Sequence, residues 1–156
     1  QKWVRRSSIE ILTEIPNISP KLIPFNKISR NLRDDDERVR ESSIKLLKIY
    51  SLEDLNDILP YIIELLNDPS DSVREKTVIS VSQLINKIGI QNLLSNLLKL
   101  LSSDTPINTQ RSVAKIFLRT AKYEKEDIKK RITALLKIRC EMSQDSIICN
   151  ALQELQ

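Results

Sequence analysis

The chain has 156 residues, enough to bury a sizeable core, and its 40% hydrophobic and 29% charged residues suit a protein folded in water. It contains no histidine and a single glycine, Gly89, with a net charge of +4. Lack of histidine removes imidazole metal sites and the usual histidine-based nucleophilic systems; near-absence of glycine leaves little room for phosphate-cradling loops or tight hairpins.

The predicted elements are all helical. Residues 1–16 hold one amphipathic helix with Val4, Ser8, Ile11 and Leu12 on one stripe. Ser19 and Pro20 open a second helix that runs to about Leu32, with Pro24 early in it. A third carries Val39, Ser43, Leu46, Leu47 and Tyr50. Ser51-Leu52-Glu53-Asp54 is a capping-box-like start for a helix to about Leu66, and Pro60 inside it should kink it. The next carries Val73, Thr77, Ser80, Val81 and Leu84 and is closed by Gly89 at the C′ position. Ile90 to about Leu101 has leucines nearly all round (Leu93, Leu94, Leu97, Leu98, Leu100 and Leu101) and should be the most buried helix. Gln110, Ala114, Phe117, Leu118 and Ala121 mark another stripe. Glu124 to about Cys140 starts acidic and carries Lys137 and Arg139 near its end, which suits the helix dipole. Ile147 to Leu155 closes the series, and loops with Pro16, Pro69 and Pro106 separate the pieces.

These helices repeat. The small residues Ser8, Ser43, Thr77, Ala114 and Ala151 follow one another at steps of 35, 34, 37 and 37 residues. Four positions before each stands Val4, Val39, Val73, Gln110 or Ile147, followed by Arg5, Arg40, Arg74, Arg111 or Ile148. At about 100° per residue, the first of these anchors and positions four, seven, eight and eleven beyond it form one apolar stripe. A small residue at the fourth position lets the facing helix approach closely. An internal period of this size is the mark of a stacked array. The expected fold is therefore an all-α solenoid, a superhelix of antiparallel helix pairs. It forms one domain over 1–156 with about four and a half units, near 1–16, 17–50, 51–89, 90–122 and 123–156.

The turns and anchors resemble those of the HEAT-repeat family. Leu66-Asn67-Asp68-Pro69-Ser70-Asp71-Ser72-Val73-Arg74 is similar to that family's turn Asp followed by Val-Arg, and Leu32-Arg33-Asp34 through Val39-Arg40 nearly as much. The fourth unit departs, with Asp104 one residue early and Gln110 in place of Val; the fifth has Met142 and Ile148 in the Asp and Arg places. An armadillo array would need a third helix per unit, and the tetratricopeptide signature residues are missing. The resemblance implies a right-handed solenoid in which Asp34, Arg40, Asp68 and Arg74 form a structural ladder between turns. It also implies that second helices line the partner-binding side.

Charge and cysteines refine this reading. Residues 1–50 carry 11 basic and 7 acidic groups, residues 51–106 carry 4 and 8, and residues 107–141 carry 10 and 4. The acidic middle argues against a continuous nucleic-acid tract. Cys140 and Cys149, nine apart among apolar neighbours, read as buried free thiols, which fits a reducing cytoplasm, or the nucleus. No apolar run approaches the roughly 20 residues that cross a bilayer. The opening Gln1-Lys2-Trp3-Val4-Arg5-Arg6 does not resemble a signal peptide. A start without Met and an end inside a helical pattern read as a piece of a longer or trimmed protein.

The expected function is that of a non-enzymatic protein-interaction scaffold or adaptor, a monomer or part of a larger assembly, with no cofactor, metal or membrane insertion. The acidic cluster Asp34-Asp35-Asp36-Glu37 reads as a solvated turn that caps a helix. Positions two, six and nine beyond each anchor should face out. They single out Lys45, Lys48, Ile79, Ser82, Ile116 and Arg119, with Val113 beside them, as a partner-binding patch around two neighbouring isoleucines. The alternative is a nucleic-acid-binding module using the basic segment 111–139, with few aromatics available for base stacking.

Overall fold

The computed structural model describes residues 1–156 and is built of nine α-helices with three short 3-10 turns and no strand. In chain order these are α1 (Lys2–Glu14), α2 (Phe25–Asn31), α3 (Glu37–Lys45), α4 (Leu55–Leu65), α5 (Asp71–Ile88), α6 (Gln91–Lys99), α7 (Ile107–Thr120), α8 (Glu126–Ser143) and α9 (Ser146–Leu155). The chain divides into two compact units, Gln1–Ser80 and Val81–Gln156, with the division inside α5.

Local chemistry sets the helix ends. Asp36 caps α3 by accepting a hydrogen bond from the Arg38 amide at 2.9 Å. The Ser51 amide donates to Asp54 Oδ2 at 2.9 Å, so the expected box is present, and a short 3-10 turn, Leu52–Asp54, leads into α4. Pro60 lies inside α4, where its missing N–H removes one rung of the helix ladder. Gly89 follows α5 with φ +89°, and its amide donates to the Ile85 carbonyl at 2.7 Å. α2 is shorter than expected: Ser19 to Ile23 form turns and Pro24 occupies the N-cap. Two prolines four apart explain this, since each lacks a donor and restricts the residue before it to extended backbone.

In the unit 1–80, α2 pairs with α3 and packs beside α4, while α1 packs along α3. The stripe that runs from α3 into the 3-10 turn after it is buried throughout: Val39, Ser43, Leu46, Leu47 and Tyr50 are sealed from solvent. Phe25 stands edge-on to Tyr50 and Tyr61, with ring centroids 5.5 and 5.3 Å apart. The Tyr50 hydroxyl donates to the Ile23 carbonyl at 2.8 Å, and burial pushes the phenol up to about 12, so it stays a donor. α1 is the exception among the stripes. Val4, Ser8 and Ile11 on its stripe face solvent.

In the unit 81–156, α8 pairs with α9 and α9 packs beside α7. Ala114 and Phe117 of α7, Ala121 just after it, Ile132 and Leu136 of α8, and Ile148, Ala151 and Leu155 of α9 form its core. Leu93, Leu94, Leu97 and Leu101 are buried, but Leu98 and Leu100 are only half-buried, so the helix they mark has one wetter side. α8 ends at Gln144, which adopts the left-handed conformation at φ 51° and donates to the Cys140 carbonyl at 2.8 Å.

Candidate partner-binding face

The side chains that hold successive turns together come from the second helices. Arg5 grips Asp34 with two hydrogen bonds, at 2.6 and 3.1 Å. Arg40 grips Asp68 in the same forked way, at 2.8 and 2.9 Å, and its third nitrogen reaches back to the Asp34 carbonyl at 2.7 Å. Arg74 bonds the Asp68 carbonyl and pairs with Asp71 on its own helix. The four ladder residues therefore share one chain of contacts, in which Asp34 and Asp68 each also accept an amide two residues on. Arg6, next to Arg5, donates to the N-cap carboxylate of Asp36 at 2.8 Å.

The fourth and fifth units keep the logic with different residues. Gln110, at the Val position, donates to the carbonyls of Ser102 and Thr105 at 3.0 and 2.8 Å, tying the turn as the third Arg40 nitrogen does. Arg111 donates to Asp145 at 2.8 Å. The expected acceptor place, Met142, is wrong by three residues: Asp145 takes it while capping α9 through the Ile147 and Ile148 amides. An Asp just before the apolar run Ile147-Ile148 is itself an N-cap signal, and it was there to be found in the sequence.

These pairings hold carboxylates ionised. Arg5 keeps the Asp34 carboxyl below its usual range, and Arg33 does so for Glu64. At Asp145 burial acts first and pushes upward, but Arg111 and the helix amides outweigh it, and the net direction is down. A pKa lowered on folding gives stability that is present above the unfolded value and lost as pH falls through the folded one. The melting temperature should thus be level from neutrality to about pH 5 and fall steeply below about pH 4. A midpoint that stays unchanged from about pH 5 down to about pH 2 in a calorimetric pH series would contradict this.

The expected binding patch is only partly on the surface. Lys45, Lys48 and Arg119 are exposed, and Ile79 is half-buried. Ser82, Val113 and Ile116 are buried, the last two completely, so the apolar centre of the patch does not exist as drawn. α9 packs against α7, so more of α7 is enclosed than its single apolar stripe implies.

A different surface appears in the unit 1–80. A groove of about 490 Å³ runs between α1 and α3, lined by Ser7, Glu10, Ile11, Thr13, Glu14, Arg38, Glu41, Ser42 and Lys45. It shares Thr13 and Glu14 with a second hollow of about 560 Å³ that Ile15, Lys48 and Ile49 help to line. Ile11 on α1 is 64% exposed, with Trp3 and Ser7 in the same row, and Ile15, just past the helix end, is 45% exposed. Sequence reasoning placed Ile11 on the buried stripe and so missed it. In the basic segment, Lys122, Lys125, Lys130, Arg131 and Lys137 are exposed, whereas Arg139 is buried and donates to the Met142 sulfur at 2.9 Å.

The cysteines correct another expectation. Cys140 and Cys149 are half-buried and joined in a disulfide, with Cα atoms 4.9 Å apart, rather than being buried free thiols. The inference of a reducing compartment loses its footing with them.

Helices packed in pairs, with second helices side by side and Arg–Asp rungs joining successive turns, define a helical-repeat protein. Residues 58–88, from within α4 to the end of α5, match the HEAT repeat family model, so the chain contains a HEAT repeat. No curated protein matches the sequence. No helix is long and apolar enough to cross a membrane.

Proposed function

We propose that the chain is a non-enzymatic scaffold that holds a segment of a partner protein in the groove between α1 and α3. The observation that carries this reading is the groove's make-up. An exposed isoleucine, Ile11, sits among Glu10, Glu14, Glu41, Arg38 and Lys45, an apolar anchor rimmed by charges of both signs. Such a surface suits a short peptide with one apolar side chain flanked by mixed charge. The HEAT repeat supports it, since modules of this kind typically serve protein partners and not catalysis. Lys45 and Lys48 keep their proposed roles at the rim; Arg119 is retained as an exposed cation on α7.

A cytosolic or nuclear setting belongs to the same proposal. It requires the 140–149 pair to pass between disulfide and thiols, because cytosolic disulfides are usually transient. The test is affinity capture with the full chain, comparing wild type with Ile11→Asp and Lys45→Glu, both at exposed positions. One or more partners should be lost at least about tenfold from both variants while the circular dichroism spectrum is unchanged. Equal capture by all three proteins removes the groove from consideration. Salt-sensitive retention of a generic duplex, abolished by charge reversal at Lys130 and Arg131, would instead select the nucleic-acid reading.

A further inference from the structure

We infer that Cys140 and Cys149 form a redox latch that holds the last helix, α9, against its neighbours. The bond links the final turns of α8 to the first turn of α9 and so closes the connection that contains Gln144 and Asp145. Both residues of that connection matter for the docking of α9. Gln144 makes the left-handed reversal, and Asp145 caps α9 and accepts the Arg111 rung.

Besides the bond, α9 is held by its packing on α8 and α7 and by the Arg111 rung at its first turn. It is ten residues long, and only Ile148, Ala151 and Leu155 of its side chains are buried, one of them an alanine. An isolated helix of that length is marginal in water, so its order depends on docking. Opening α9 also bares the part of α7 that it covers, and α7 is rich in buried apolar side chains, Val113, Ile116 and Phe117 among them. The latch thus governs whether that apolar flank stays hidden. Both cysteines are half-buried, not sealed in the core, which leaves the pair within reach of a small thiol.

The chemistry is ordinary exchange with a thiol reductant of the glutathione or dithiol class. A reductant thiolate attacks one cysteine sulfur, the Cys140–Cys149 bond breaks, and the released cysteine thiolate takes up a proton. A second reductant thiolate attacks the sulfur of the reductant in that mixed disulfide, and the second cysteine leaves and is protonated in turn. The chain gains two electrons and two protons, and the reductant leaves as its own disulfide.

The experiment uses the full chain purified in air, before and after treatment with reduced glutathione or dithiothreitol. Iodoacetamide labelling should find no free thiol before reduction and two after it. Amide exchange over residues 144–156 should accelerate on reduction on the order of tenfold or more, while residues 71–88 stay unchanged. A Cys140→Ser/Cys149→Ser variant should exchange like the reduced protein and ignore reductant. Full labelling before reduction, equal exchange in both states, or acceleration spread evenly over the chain would each overturn the latch. None of these outcomes depends on which partner the groove holds.

Discussion

Replacing Arg40 with Ala should cost roughly 3 kcal/mol of unfolding free energy, the range seen when one member of a buried ion pair is removed. Asp68 is only 6% exposed, and three of its hydrogen bonds are known: two from Arg40 and one from the Ser70 amide. Truncating Arg40 removes the two charge-assisted bonds and leaves an ionised carboxylate facing little water. The same truncation frees the Asp34 carbonyl, which the third nitrogen of Arg40 satisfies. Arg40→Lys should recover only part of the loss, because an ammonium group does not match the planar fork. Asp68→Asn should cost less than Arg40→Ala, since it leaves no bare charge behind. Arg33→Ala makes the contrast: its pair with Glu64 is exposed at both ends, and the urea midpoint should hardly move. Urea unfolding followed by circular dichroism measures all four, and a double-mutant cycle between positions 40 and 68 isolates the pair. If Arg40→Ala and Arg33→Ala prove equally mild, the rung is decoration and not a fastening.

The ladder between Asp34, Arg40, Asp68 and Arg74 was legible because each member sits at a fixed distance from a repeated anchor. The stripes of α3 and α5 were legible for the same reason. Physical context that leaves no periodic trace was not. Whether Ile116 faces water depends on which elements pack around α7, and Ile116 and Ile11 look equally apolar in the sequence. Their fates are opposite to those expected: Ile116 is fully buried at a position counted as outward, and Ile11 is exposed at one counted as inward. The Cys140–Cys149 bond was hidden for another reason. A spacing of nine says nothing until a helix reversal at Gln144 folds one residue back on the other. Asp145 stood in plain view as an N-cap, but reading it as the rung acceptor required letting function shift by three residues within the repeat.

The recurring small residue makes the sharpest contrast between repeats, because two members of one series should respond oppositely to one substitution. Ala114→Leu should destabilise by roughly 2–3 kcal/mol, the usual range when a larger side chain is forced into a packed site. Ala114 is completely buried among the α7 core residues, and three added carbon atoms have nowhere to go without moving a helix. Ser8→Leu, at the equivalent place on α1, should stay within about 0.5 kcal/mol, as exposed substitutions do, because Ser8 faces solvent. Ser43 and Thr77 fall with Ala114, not with Ser8. Both are fully buried, and each satisfies its hydroxyl by donating to the carbonyl four residues back, at 2.7 and 2.8 Å. Leucine at either would add volume and take away a donor already in use. Thermal or urea melts of the four Leu variants decide the matter. A common response at positions 8 and 114 would mean that local helix propensity, and not the closeness of the neighbouring helix, has kept this position small. A split response ties the spacing of about 35 residues to packing wherever a neighbour is present.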